Sequence, residues 1–84
     1  MHDECLREIY EHLVPEARKV FVVLSNDAEG HSIEELMQIA RLSTHRVRLA
    51  LSELRGATLA TRNVPARLTA NGQRLRKLLG PTAK

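Results

Sequence analysis

Residues 32–54 read Ser-Ile-Glu-Glu-Leu-Met-Gln-Ile-Ala-Arg-Leu-Ser-Thr-His-Arg-Val-Arg-Leu-Ala-Leu-Ser-Glu-Leu, and the periodicity of this stretch decides the fold. Ser32 and Glu35 stand in the Ser-x-x-Glu spacing of a capping box, a helix start. Ile33, Leu36, Met37 and Ala40 then recur at i, i+3, i+4 and i+7, one apolar stripe on a helix. The stripe stops at Arg41-Leu42-Ser43. Ser43 can cap a second helix by accepting a bond from the His45 or Arg46 backbone N–H. Val47, Ala50, Leu51 and Leu54 repeat the spacing, so the stretch predicts two helices joined by a tight turn.

The second helix is informative on its other side. At about 100° per residue, His45, Leu49 and Ser52 point away from the apolar stripe, with Arg48 beside them. Thr44 and Arg46 fall in the exposed first turn. The outward face thus carries cations, hydrogen-bonding groups and one aliphatic group, with Glu53 only at its margin. A solvated helix usually mixes both signs of charge. This face suits an anionic surface with base edges to read.

The charge of the whole chain is unevenly divided. Its net charge of +3 conceals three cations against nine acids in residues 1–40, a net of −6. Residues 41–84 hold ten Arg or Lys against Glu53 alone, a net of +9. Such a split points to a basic surface for nucleic acid. Two aromatics, Tyr10 and Phe21, leave the core aliphatic and argue against single-strand binding, which needs aromatic platforms. Eighty-four residues make one domain. A chain of this size buries little more than ~60% of its unfolded surface and would gain from dimerising. The sequence has no long apolar run, an acidic start unlike a secretion signal, and one cysteine. An intracellular, cytoplasmic setting is expected.

The flanks complete the pattern. Residues 3–13 form an expected N-terminal helix with the stripe Leu6, Ile9, Tyr10 and Leu13, ended by Val14-Pro15. Pro15 opens a second helix carrying Ala17, Val20, Phe21 and Leu24. Residues 26–31 read as a turn, with a one- or two-residue strand at His31. Gly56 is expected to break the helix that starts after Ser43. Residues 58–62 alternate with β-branched members and 66–69 return, so 58–69 predicts a short β-hairpin around Asn63-Val64-Pro65. Thr69 caps a last helix over 70–79, with Leu75, Leu78 and Leu79 inward, and residues 82–84 should fray. The expected fold class is mainly α with a small β-hairpin wing: one domain over 1–84, its helix-turn-helix at 32–55.

This order of elements resembles the winged helix-turn-helix domain, and more narrowly the small transcriptional regulators of the MarR family. The resemblance runs from about residue 17 to 79. It is carried by Ser32-Ile-Glu-Glu-Leu, by Leu42-Ser-Thr-His-Arg-Val, and by Leu68-Thr-Ala-Asn-Gly-Gln-Arg-Leu. The last is similar to the Leu-Thr-x-x-Gly-x-x-Leu that closes the wing in that family. The resemblance implies a recognition helix over 44–55 in the major groove, with the wing on the flanking backbone or minor groove. Ser43, Thr44, His45, Arg46, Arg48, Leu49 and Ser52 would lie at the DNA, and Arg62 and Arg67 on the wing. The family usually places a glycine just before the first wing strand, where Thr58 stands here. Family members dimerise through extra C-terminal helices; here the first helix, with the last, is the expected dimer surface.

Other chemistry is poorly represented. His2, Cys5 and His12 match no standard zinc spacing, and Cys5 beside an apolar stripe reads as a small buried hydrophobe. No Ser-His-acid set and no glycine-rich phosphate loop is visible. The sequence therefore predicts a non-enzyme without cofactor or metal: a homodimer that binds double-stranded DNA and no membrane, acting as a transcriptional repressor. The alternative is an adaptor of the same fold that docks on a protein.

Overall fold

The computed structural model describes residues 3–26, 29–63 and 65–80. Five helices follow one another: α1 (Asp3–His12), α2 (Pro15–Ser25), α3 (Ile33–Ala40), α4 (Thr44–Gly56) and α5 (Ala70–Leu79). Their starts have local causes. Pro15 occupies the first turn of α2, where its missing N–H costs nothing. Ser32 Oγ accepts the Glu35 N–H at 3.2 Å while Glu35 Oε1 accepts the Ser32 N–H at 3.0 Å, a complete capping box on α3. Ser43 caps α4 and Thr69 caps α5, each accepting the backbone N–H three residues on.

The core lies where the apolar stripes meet. Ala17, Val20, Phe21 and Leu24 of α2 and Val47, Ala50, Leu51 and Leu54 of α4 are all buried, and α2 packs mainly on α4. Full burial of Val47, Leu51 and Leu54 is worth about 1.5–3 kcal/mol each. Leu6 of α1, Leu13 just after it, Leu36 and Ala40 of α3, and Leu75 of α5 close the core. Tyr10 meets the edge of Phe21 at a centroid distance of 5.6 Å, which seats α1 on α2. Arg18 donates to the Tyr10 and Glu11 carbonyls and lies over the Tyr10 ring. Asp3 and Arg74, 2.6 Å apart, join α1 to α5.

The expected β-hairpin does not form: among the described residues there is no strand and no sheet, only two isolated antiparallel bridges, Ala60 with Leu68 and His31 with Ala66. The physical reason is diversion of backbone partners. Thr61 donates to the Arg67 carbonyl at 2.8 Å and Thr69 to the Leu59 carbonyl at 2.9 Å. The return bonds are missing. The Leu59 N–H closes the end of α4 on the Leu54 carbonyl at 2.8 Å. The Thr61 carbonyl accepts Arg55 Nε at 3.0 Å, and the Arg67 N–H goes to Thr61 Oγ1 at 3.1 Å. A ladder needs reciprocal pairs, and here each pair is half used. Proline at 65 removes one more donor. Ala66 instead exchanges both bonds with His31, at 2.9 and 2.7 Å. Among the described residues the fold is thus five helices, with irregular chain at 57–63 and 65–69 before α5, and no wing is seen.

Gly56 does not break α4 but forms its last residue; the chain turns at Thr58, with φ 62°. That left-handed conformation is the one a glycine adopts easily and a β-branched residue adopts at a cost. Thr58 is held there by its neighbours. Its carbonyl accepts Thr69 Oγ1, and its Oγ1 accepts Asn71 Nδ2 at 3.0 Å. Asp27 and Ala28 of the expected turn, Val64 of the expected loop, and the fraying expected at 82–84 lie outside the described residues.

Gly72 sits where α5 crosses the segment before it. A Cβ there would overlap the Leu59 carbonyl oxygen and press on the Leu68 side chain, whereas a Cβ on Gly56 meets nothing within 4 Å. Gly72→Ala should therefore destabilise the chain by about 1–3 kcal/mol, and Gly56→Ala should stabilise it by about 0.5–1 kcal/mol. Thermal unfolding followed by circular dichroism should move in opposite directions for the two variants.

Candidate nucleic-acid interface

The α3–turn–α4 unit is built on a left-handed residue. Arg41 follows α3 with φ 56° and ψ 49°, which reverses the chain over 41–43 and starts α4 at Thr44. The Leu42 N–H returns to the Met37 carbonyl at 3.1 Å. Two of the expected site residues are occupied here. Ser43 Oγ accepts the Arg46 N–H at 3.3 Å as the cap of α4, and Thr44 Oγ1 donates to Met37 Sδ at 3.1 Å. Both residues remain exposed at the surface.

His45, Arg48, Leu49 and Ser52 are exposed together on the face opposite the buried stripe of α4. The two flanks of that face differ. On one side Arg46 lies 4.0 Å from Glu16, and Glu53 Oε1 accepts the Val14 N–H at 3.3 Å. Both contacts go to the start of α2, where a carboxylate also meets the positive end of the helix dipole. Arg46 thus leans off the centre of the face, and the one acid of residues 41–84 is turned to α2. On the other side Arg55 is drawn to the Thr61 carbonyl, which ties the last turn of α4 to the 57–69 segment.

Arg62 and Arg67, expected on a wing, stand on that irregular segment, both exposed. Their settings differ. Arg67 Nε donates to the Glu29 carbonyl at 3.1 Å, and its side-chain stem lies against Gly30, whose φ is 94°. Arg67 therefore clamps the turn before α3 to the segment, leaving its outer nitrogens for other partners. A shallow groove of about 240 Å³ beside it is lined by Thr61, Asn63, Pro65 and Arg67. Sequence reasoning passed over Arg41, an exposed cation in the turn between the two helices. Its signal was a long basic residue at the point where the α3 stripe stops.

The remaining candidates are scattered. Cys5 is exposed rather than buried, a correction to its expected place in the core. His12 Nδ1 donates to the Glu8 carbonyl at 2.8 Å, and His2 lies outside the described residues. Among the described residues no three His, Cys, Asp or Glu side chains gather to hold a metal. Among them also, no helix is long and apolar enough to cross a membrane. Comparison with family models, curated proteins and solved structures gives no match to this chain.

Ser43 and Ser52 separate a structural from a surface role on one helix. Ser43→Ala should lower the unfolding free energy by about 1 kcal/mol through loss of the cap. Ser52→Ala, exposed and outside any described hydrogen bond, should stay within about 0.5 kcal/mol of the parent. Urea unfolding of both variants checks this.

Proposed function

We propose that the protein binds double-stranded DNA in a sequence-specific way and regulates transcription, as a repressor. The observation that carries this reading is the outward face of α4. It joins His45, Arg48, Leu49 and Ser52 with no carboxylate at its centre, because Glu53 is engaged at the start of α2. Exposed cations stand in the turn before α4, at Arg41, and on the chain after it, at Arg62 and Arg67. A helix has the diameter that a major groove admits, and the polar groups of this face match base edges there. Arg62, Arg67 and Arg41 are assigned to phosphates, which position the protein without reading sequence. We assign the protein to the cytoplasm and, because its two aromatics, Tyr10 and Phe21, pack on each other and offer bases no stacking platform, to duplex rather than single-stranded nucleic acid.

Two copies would extend the contact to two half-sites. The surface available for pairing is the groove between α1 and α5, lined by Tyr10, Leu78 and Leu79 with Arg7 and Glu11 at its rim. Of the apolar residues Cys5, Tyr10, Val22 and Val23, which exceed what the helix stripes use, Cys5 is exposed and the other three are half-buried within the chain itself. Sedimentation at tens of micromolar should give a dimer; a folded monomer there would remove this part of the proposal.

The arginines should fail in different ways. Arg48→Ala should cost about 1–3 kcal/mol on the preferred duplex and relax one base preference. Arg62→Ala and Arg67→Ala should weaken preferred and scrambled duplexes alike, each lowering the log–log salt slope by about one unit. Fluorescence anisotropy across a salt series reads all three. Unchanged affinity in every variant would sink the DNA reading.

A further inference from the structure

We infer that Leu49 is a specificity-determining contact that receives the 5-methyl group of a thymine, so that the bound duplex carries an A·T pair opposite the middle of α4. The inference rests on the reading of α4 as a DNA-binding helix and adds the base chemistry of its centre. Among the described residues the exposed large hydrophobic side chains are Val14, Ile39 and Leu49, at 45%, 56% and 57% exposure. Val14 precedes α2 and Ile39 belongs to α3, so Leu49 is the one of these on the outward face of α4. Its neighbours there, His45, Arg48 and Ser52, can all exchange hydrogen bonds with base edges or phosphates.

Leu49 has no such option. A helix seated in a major groove removes its central side chains from water. An isobutyl group then needs an apolar partner, and the groove offers the thymine 5-methyl. Against guanine, adenine or cytosine edges it would strip water from donors and acceptors without replacing their bonds, which is unfavourable. One polar-free position among hydrogen-bonding ones thus selects by what it cannot satisfy. Burial of one methyl-sized group is worth about 0.8 kcal/mol, or roughly fourfold in affinity.

The test starts with the full chain enriching duplexes from a random pool. Each thymine of the selected duplex is then replaced in turn by uracil, which removes the methyl group and keeps the pairing edge. Wild-type protein should lose roughly fourfold affinity at one position. Leu49→Ala should bind the thymine duplex about as weakly as wild type binds the uracil one, and should show no further loss on uracil. Arg48→Ala should keep the methyl effect. Because Leu49 is exposed, Leu49→Ala should unfold at the parent temperature, which confirms an intact fold. Affinity insensitive to every methyl group would overturn the inference while leaving DNA binding in place. So would a methyl effect that persists in Leu49→Ala, since the methyl would then act through DNA shape. Failure of wild type to enrich any duplex would instead overturn the underlying reading, and this inference with it.

Discussion

Complete burial of Val47, Ala50, Leu51 and Leu54 along one side of α4 fixes where every other residue of that helix looks. With 3.6 residues per turn, the four define a stripe and the rest of the circumference follows. The partner for that stripe is α2, whose Ala17, Val20, Phe21 and Leu24 are buried in the same core. Rotating α4 by even one position would bring Arg46 or Arg48 into an aliphatic interior and expose a leucine. The desolvation of an unpaired guanidinium far exceeds what any surface contact returns. The direction of the outward face is therefore a product of core packing.

The segment after α4 shows how small differences in bonding partners decide between sheet and irregular chain. Alternation and β-branched residues at 58–62 favour extended backbone, and Ala60 does bridge Leu68. A hairpin fails because Leu59 turns its N–H back to α4 and Thr61 gives its carbonyl to Arg55. These bonds serve a different end: they hold the segment against α4. Gly72 allows the first turn of α5 to lie on the Leu59 carbonyl, and Thr58 in its left-handed conformation is kept there by Thr69 and Asn71. Strain at one residue is offset by hydrogen bonds from the next helix.

What the sequence made legible follows the range of the forces involved. Helix starts are local, and Ser32, Ser43 and Thr69 cap the helices their spacing predicts. Stripes of i, i+3, i+4 and i+7 are also local, and they predict the buried residues of α2 and α4 correctly. The exposure of His45, Arg48, Leu49 and Ser52 followed from the same geometry. The hairpin was not legible, because its fate depended on Arg55 and on the closing bond of α4. Nor was the pull of Glu16 on Arg46, since the pair is joined only when α2 meets α4. Cys5 is exposed because the register of α1 turns Leu6, not the Cys5 beside it, to the core.

The same tertiary contacts give the outward face a direction. Its flank beside α2 carries Glu16 and Glu53, which offset Arg46. Its other flank carries Arg48 and Arg55, of which Arg55 is tied to the Thr61 carbonyl, and it belongs to the half of the chain where Glu53 is the sole acid. The flanks of one helix are separated by no more than its diameter of about 10–12 Å. That distance is close to the Debye length of ~8 Å at physiological salt, so the difference in potential across it survives screening in part. Under the proposed function, a polyanion meets the Arg48 flank with less repulsion than the α2 flank, and the helix would settle with that side deeper in the groove. Arg46, exposed and 4.0 Å from Glu16, then lies on the α2 side of that face. Under the same proposal base contacts would fall to His45, Arg48, Leu49 and Ser52, where polar groups and a single aliphatic one share one face.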